Sequence, residues 1–277
     1  MWMHCRQRKI CLMPLYGKSA ATPVISSRTN TRVKQLRAAF VDNLRLSGGW
    51  VAIEGDNLLA EALRSGLMLK TVFVSERHTI PDALPPDTEV LRLTGDVFAS
   101  AAGTRTPQGI AALVEPPVAS VADVLRRTPL ILIAAGLQDP GNLGTLVRSA
   151  EAFGATAVFS TQGTVSVWNQ KALRASAGSV FRVPVVDVTS TEIGALKGRG
   201  VRLLAAVGSG GTSAQDIDFT GSCALMIGNE GSGLGSEWLE MADALVTIPC
   251  PGPVESLNAA VAGSLLLYET SRQRSMR

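Results

Sequence analysis

The most constraining feature of the chain is a run of six apolar residues, Leu130-Ile-Leu-Ile-Ala-Ala135. A half-buried strand alternates apolar and polar positions. An unbroken run this short is the habit of a strand covered on both faces, as in parallel sheets flanked by helices. The downstream pattern agrees. Helical spacing over Leu143–Phe153, Asn169–Ala177 and Thr191–Gly198 alternates with apolar strand stretches at Ala157–Ser160, Val183–Val186, Val201–Ala206, Cys223–Ile227 and Ala244–Ile248. A final helix is predicted from about Ser256 to Arg272, apolar on nearly every side and therefore expected to be buried. The fold class that follows is α/β.

A second, smaller α/β unit precedes it. Val33, Leu36, Arg37 and Phe40 recur at helical spacing over Thr31–Phe40. Strands are predicted at Val51–Gly55, Thr71–Ser75, Thr88–Leu93 and Gln108–Val114, with a helix begun by Asp56 as cap and closed by Gly66. Pro116-Pro117 interrupts the alternation, and a short helical stretch follows at Val121–Arg127. The expected organisation is a basic extension over 1–24, a domain over 25–115, a linker over 116–128 and a larger domain over 129–277.

Charge is unevenly spread. Eight of the 26 Lys and Arg precede Asp42 with no acidic residue among them, so the remaining 18 face 23 acidic residues. A basic head on a mildly acidic body points to a polyanionic partner. No apolar run reaches the ~18–20 residues of a membrane helix. The cysteines, Cys5, Cys11, Cys223 and Cys250, lack zinc-ligand spacing, and the only histidines are His4 and His78. No metal is expected, and scattered cysteines fit a reducing cytoplasm.

Three segments carry chemistry. Gln138-Asp-Pro-Gly-Asn142-Leu-Gly144-Thr-Leu-Val-Arg148 follows the buried strand and opens a helix. Asn142 is the expected cap. Leu143, Leu146, Val147 and Ala150 make the packed stripe, and Arg148 projects off it, so packing does not account for the guanidinium. A solvated surface arginine is the plain alternative. The second segment is Gly228-Asn-Glu230-Gly-Ser-Gly233-Leu-Gly235, also after a buried strand. It is neither a dinucleotide fingerprint nor a P-loop, and Glu230 would repel a triphosphate. The third is Ile248-Pro249-Cys-Pro-Gly-Pro-Val-Glu-Ser256-Leu257-Asn258, a proline-stiffened loop leading into the last helix. Ser256 and Asn258 either cap that helix or serve a site.

In this order and context, the three segments resemble the three motifs of the SpoU/TrmH branch of the SPOUT RNA methyltransferases, over about Leu130–Gln273. Ala172–Pro184 is similar to that family's middle segment, and 25–115 to its ribosomal-protein-like RNA-binding domain. The resemblance implies a trefoil-knotted C-terminal α/β domain, a homodimer and S-adenosylmethionine as cofactor. It further implies methyl transfer to a ribose 2′-hydroxyl of RNA, ribosomal RNA first and transfer RNA second.

On that resemblance, Gly228, Asn229, Gly231, Gly233, Ile248, Pro249 and Leu257 hold the cofactor. Arg148 acts as phosphate clamp and alkoxide stabiliser, or in a base-like role. Asn142 orients it or the ribose, Glu230 hydrogen-bonds a substrate group, and Ser256 and Asn258 fix the ribose–phosphate and the third loop. The basic head would meet RNA through Arg28, Arg32, Lys34 and Arg37. The rival readings are a non-catalytic RNA-binding or ribosome-assembly protein, an ordinary doubly wound nucleotide enzyme, and a base methyltransferase of the same fold.

Overall fold

The structure is a computed structural model that describes residues 23–41, 49–102, 104, 106–125, 128–254 and 256–276. Cys5, Cys11, His4 and nearly all of the basic extension lie outside the described residues.

The N-terminal unit runs β1 (Val24–Ile25), α1 (Thr31–Val41), β2 (Val51–Glu54), α2 (Asp56–Arg64), β3 (Leu69–Ser75), β4 (Glu89–Leu93), α3 (Gly95–Ala101) and β5 (Ile110–Val114). Its sheet has the order β1-β4-β3-β5-β2, with β5 antiparallel to both its neighbours and the other pairs parallel. After α4 (Val121–Val124), the larger unit runs β6 (Leu130–Ala134), α5 (Pro140–Ala152), β7 (Ala157–Ser160), α6 (Gln170–Ser176), β8 (Val185–Asp187), α7 (Ser190–Ala195) and β9 (Arg202–Ala206). It ends with β10 (Thr212–Ser213), β11 (Cys223–Ile227), α8 (Ser236–Met241), β12 (Ala244–Thr247) and α9 (Ala259–Ser275). This sheet is parallel throughout, in the order β10-β12-β9-β11-β6-β7-β8.

The apolar run at 130–135 is covered on both faces, as expected. Leu130, Leu132 and Ala134 pack under α5, α6 and α9, whereas Ile131, Ile133 and Ala135 pack toward Ile193, Leu196 and Trp238. The helices after β6 and β11 therefore lie on opposite faces. The crevice between these adjacent strands is the switch point, where parallel sheets bind ligands beyond their carboxyl ends.

The two sheets share one apolar cluster: Val51, Ile53, Leu58 and Leu59 join Val180 and Phe181 of the larger unit. Polar ties reinforce the seam. Gln170 Nε2 donates to the Ala52 carbonyl at 2.8 Å, and Arg182 reaches Glu61 at 2.8 Å and Ser65 Oγ at 3.1 Å while also pairing with Glu151.

Three expectations need correction. The cap of α5 is Asp139, whose carboxylate accepts from the Gly141 and Asn142 amides, with Pro140 at the first helical position. An acid followed by proline outcompetes Asn142, which falls in the first turn with its side chain free for other work. Gly55 at φ 98° precedes α2, so Asp56 lies inside that helix and meets His78 Nε2 at 3.0 Å. The last helix starts at Ala259 and is buried on one side only, leaving Val261, Leu265 and Tyr268 exposed.

Candidate active site

Three loops leave neighbouring carboxyl ends of the parallel sheet, those of β9, β11 and β12. Together with the start of α9 they enclose a cavity of about 300 Å³. Gly228, Asn229, Gly231, Gly233, Ile248 and Leu257 line it, with Glu230 and Ser256. Pro249 does not line it. The walls contributed by Ala206, Val207 and Gly208 after β9 carry no motif that sequence reasoning singled out.

The loop after β11 is a small hairpin. Asn229 and Gly233 exchange backbone bonds of 3.0 and 2.9 Å, and Asn229 Oδ1 accepts from the amides of Gly231 at 2.8 Å and Ser232 at 3.3 Å. Gly228 is required by close approach, because a Cβ there would lie 2.3–2.5 Å from backbone atoms of Gly233 and Leu234. Asn229 Nδ2 donates to the Gly136 carbonyl at 3.0 Å, tying the hairpin to the loop after β6.

Glu230, Asn142 and Asn258 come together from three separate motifs. Asn142 Nδ2 donates to Glu230 Oε1 at 2.8 Å, and Asn258 Nδ2 donates to Asn142 Oδ1 at 3.1 Å. The Gln138 and Asp139 amides also face the Glu230 carboxylate, at 3.5 and 3.4 Å. Desolvation pushes the Glu230 carboxyl up. The bonds from Asn142 and from the backbone amides of Glu230, Gln138 and Asp139 outweigh it and leave the group below its ordinary value. Glu230 is thus an ionised acceptor at neutral pH. Asn258 does both things its position allowed: Oδ1 caps α9 through the Ala260 amide at 2.9 Å and the Val261 amide at 3.3 Å, and Nδ2 joins the cluster.

Arg148 is not in the cavity. It lies six residues beyond Asn142 on α5, about 9 Å along the helix axis, exposed and without a hydrogen-bond or ion-pair partner among the described residues. Elsewhere on the same helix, Ser149 Oγ meets Ser264 Oγ of α9 at 2.7 Å and Phe153 packs edge-on against Tyr268. In the N-terminal unit, Arg28 and Lys34 are exposed and unpartnered among the described residues. Arg32 is paired with Glu89 at 3.1 Å, and Arg37 is spent on the Ser100 carbonyl at 3.0 Å and hydroxyl at 3.2 Å. Among the described residues no cluster of His, Cys, Asp and Glu is arranged to hold a metal, and no helix is long and apolar enough to cross a membrane.

A parallel sheet with a glycine hairpin, an Asn–Glu–Asn cluster and a cavity beyond the carboxyl ends of β9, β11 and β12 defines a class that comparison with known proteins identifies. Residues 129–268 match the SpoU rRNA Methylase family, and residues 30–112 match the MRM3-like substrate binding domain. The chain belongs to the SpoU rRNA methylase family.

Among its relatives is the 23S rRNA (guanosine(2553)-2′-O)-methyltransferase RlmP of Bacillus subtilis, 36% identical over 245 residues, covering 88% of this chain and 97% of the relative. Another is the 23S rRNA (guanosine-2′-O-)-methyltransferase RlmB of Xanthomonas campestris, 35% identical over 195 residues, 67% of this chain and 78% of the relative. Among solved structures, the SpoU methyltransferase AviRb from Streptomyces viridochromogenes in complex with AdoMet superimposes with a TM-score of 0.79 at 29% identity, covering 89% of this chain and 98% of that one.

Proposed function

We propose that the chain transfers a methyl group from S-adenosylmethionine to a ribose 2′-hydroxyl of ribosomal RNA, acting as a homodimer in the cytoplasm. The observation that carries this reading is the chemistry of the cavity. Among the described residues its side chains include one ionised carboxylate, Glu230, and no Lys, Arg or His. Such a site disfavours polyphosphates and suits a cationic ligand with a neutral ring system. Apolar Val246, Ile248 and Leu257 beside loop backbone groups suit a purine face and its hydrogen-bonding edge. The residues therefore fit S-adenosylmethionine, which when bound supplies a sulfonium methyl to an oxygen nucleophile. The names of the relatives and the AdoMet-bound neighbour support the same assignment.

The chain's own residues divide the work as follows. Backbone groups around Gly228, Ile248 and Leu257 hold the cofactor, and the hairpin of Asn229, Gly231 and Gly233 shapes its wall. Asn142 is the hinge pin of the cluster: it donates to Glu230 and accepts from Asn258, so the loops after β6, β11 and β12 are held in one register. Ser256, on the cavity wall, is placed to bond the ribose–phosphate. Arg148 offers a planar fork of N–H donors and no acceptor, so its role is to clamp phosphate and stabilise the oxyanion that develops on the 2′-oxygen.

Since Arg148 stands outside its own cavity, it reaches a reaction centre across a dimer. The exposed apolar face of Val261, Leu265 and Tyr268 on α9 supplies the contact. The threading of the third loop and α9 as a deep knot is part of this proposal. It is supported by the shared cavity wall and by Gly263, where a Cβ would lie 2.4 Å from Leu146 Cδ2.

The test is transfer of labelled methyl from S-adenosylmethionine to unmodified 23S rRNA and tRNA transcripts. Label in an alkali-resistant linkage of the ribosomal transcript is expected. Label in a base, in tRNA alone or in neither RNA refutes the proposal.

A further inference from the structure

A second cleft lies on the other side of the glycine hairpin, over the carboxyl ends of β6, β7 and β8, with a volume of about 690 Å³. Asn229, Ser232 and Gly233 line both it and the cofactor cavity, so one thin wall separates the two. The loop after β6, which borders the switch-point crevice, forms part of the cleft's lining.

That loop is held firmly. The Gly136 amide donates to Thr161 Oγ1 at 3.3 Å and Thr164 Oγ1 at 3.0 Å, and Asn229 Nδ2 holds the Gly136 carbonyl. The side chains of Gln138, Gln162, Ser190, Ser232 and Glu237 line the cleft and have no hydrogen-bond or ion-pair partner among the described residues. Among the described residues no Lys, Arg or His lines it, so it is not built for phosphate. Gln138 links the cleft to the reaction side, because its backbone amide faces the Glu230 carboxylate at 3.5 Å.

We propose that this cleft seats the base of the nucleotide whose ribose is methylated, that Glu237 and Gln138 read its hydrogen-bonding edge, and that the base is guanine. The inference rests on the reading of the chain as an RNA ribose methyltransferase. A carboxylate only accepts hydrogen bonds. Guanine is the one common base with two adjacent N–H donors on a single edge, N1–H and the N2 amino group, and these match the two oxygens of Glu237. A side-chain amide at Gln138 supplies the donor that the neighbouring O6 requires. Donor and acceptor nucleosides then enter from opposite sides of one hairpin, with Glu230 at its rim.

The test begins with wild-type protein, labelled S-adenosylmethionine and an unmodified 23S rRNA transcript, on which the methylated nucleotide is mapped. Glu237→Gln is expected to lower kcat/KM on that transcript by about tenfold to a hundredfold, with S-adenosylmethionine affinity by calorimetry unchanged. A transcript with inosine at the mapped position, which lacks the N2 amino group, should lose activity with the wild type and lose little more with Glu237→Gln. A purely structural role would not produce that non-additivity. Ser190→Trp, which fills the cleft, should abolish transfer while leaving cofactor affinity and melting temperature intact.

An acceptor other than guanosine overturns the inference, as does retention of near wild-type kcat/KM by both variants. Either result leaves methyl transfer itself standing. Failure of the wild type to label any RNA overturns the underlying reading instead.

Discussion

Replacing glycines of the hairpin one at a time separates the physical reasons for each. At Gly228 a Cβ would lie 2.3 Å from the Gly233 carbonyl carbon, 2.4 Å from its oxygen and 2.5 Å from the Leu234 nitrogen. All three are backbone atoms, so no side chain can swing away, and the facing arm must retreat by roughly 1 Å to reach ordinary contact. That retreat strains or breaks the two bonds between Asn229 and Gly233, at about 0.5–1.5 kcal/mol each. Overpacking a rigid site costs about 1–3 kcal/mol by itself. These are two outlets for one strain, so Gly228→Ala should cost the hairpin about 2–3 kcal/mol, or roughly thirty- to 150-fold in S-adenosylmethionine affinity.

At Gly233 nothing lies within 4 Å of an added Cβ, but φ is +68°, so alanine there pays only the left-handed penalty of about 1 kcal/mol. At Gly231 the added methyl meets only Asn229 Oδ1, at an ordinary 3.5 Å, and the hairpin should be unaffected. Amide exchange at Gly233 and calorimetry with S-adenosylmethionine read the series. Protection should fall in the order Gly231→Ala, Gly233→Ala, Gly228→Ala, with cofactor affinity collapsing in the last. Wild-type protection and affinity in Gly228→Ala would refute the close-approach argument.

Arg148→Ala should abolish methyl transfer while leaving cofactor affinity within a few-fold. Mixing it with Glu230→Ala protomers should restore activity through hybrid dimers, and no restoration would return the guanidinium to its own subunit's site. The Glu230 carboxyl sits below its ordinary value of 4.5, so its ties to Asn142 and the loop amides are intact at neutral pH. They persist as the pH falls through 4.5 and are lost only as it drops through the lowered value. Cofactor affinity that falls away above pH 4.5 in wild type but not in Glu230→Gln would contradict this. Cys250 is exposed on the cavity wall while Cys223 is buried, so in a Cys5→Ser, Cys11→Ser background a maleimide should label Cys250 alone. That labelling should block cofactor binding and be slowed by S-adenosylmethionine; Cys223 reacting first would count against the cavity geometry.

Much of the larger unit is legible from 130–135 onward, because a strand buried on both faces admits no polar position and the helices between strands keep a plain apolar stripe. The three motifs announce the site because glycine, proline and uncharged polar residues are concentrated where packing does not need them. Other features depend on what meets what in space. The loop 206–208 reaches the cavity only because β9 lies beside β11, a neighbour remote in sequence. Arg32 and Arg37 look like RNA contacts on a basic helix until Glu89 and Ser100 appear next to them. The start of α5 is legible in Asp139-Pro140, because an acidic cap followed by proline outcompetes the Asn142 three residues on. The short elements α3, β1 and β10 carry too few residues for any periodicity to show.

The apolar seam uniting the two sheets makes the small lobe a fixed gauge and not a swinging arm. An RNA held both at the exposed end of α1 and at the proposed site would have to match a set span, because the lobes are not free to close on it. For the same reason the large lobe, cut free, would present Val180 and Phe181 to water and behave as a sticky fragment.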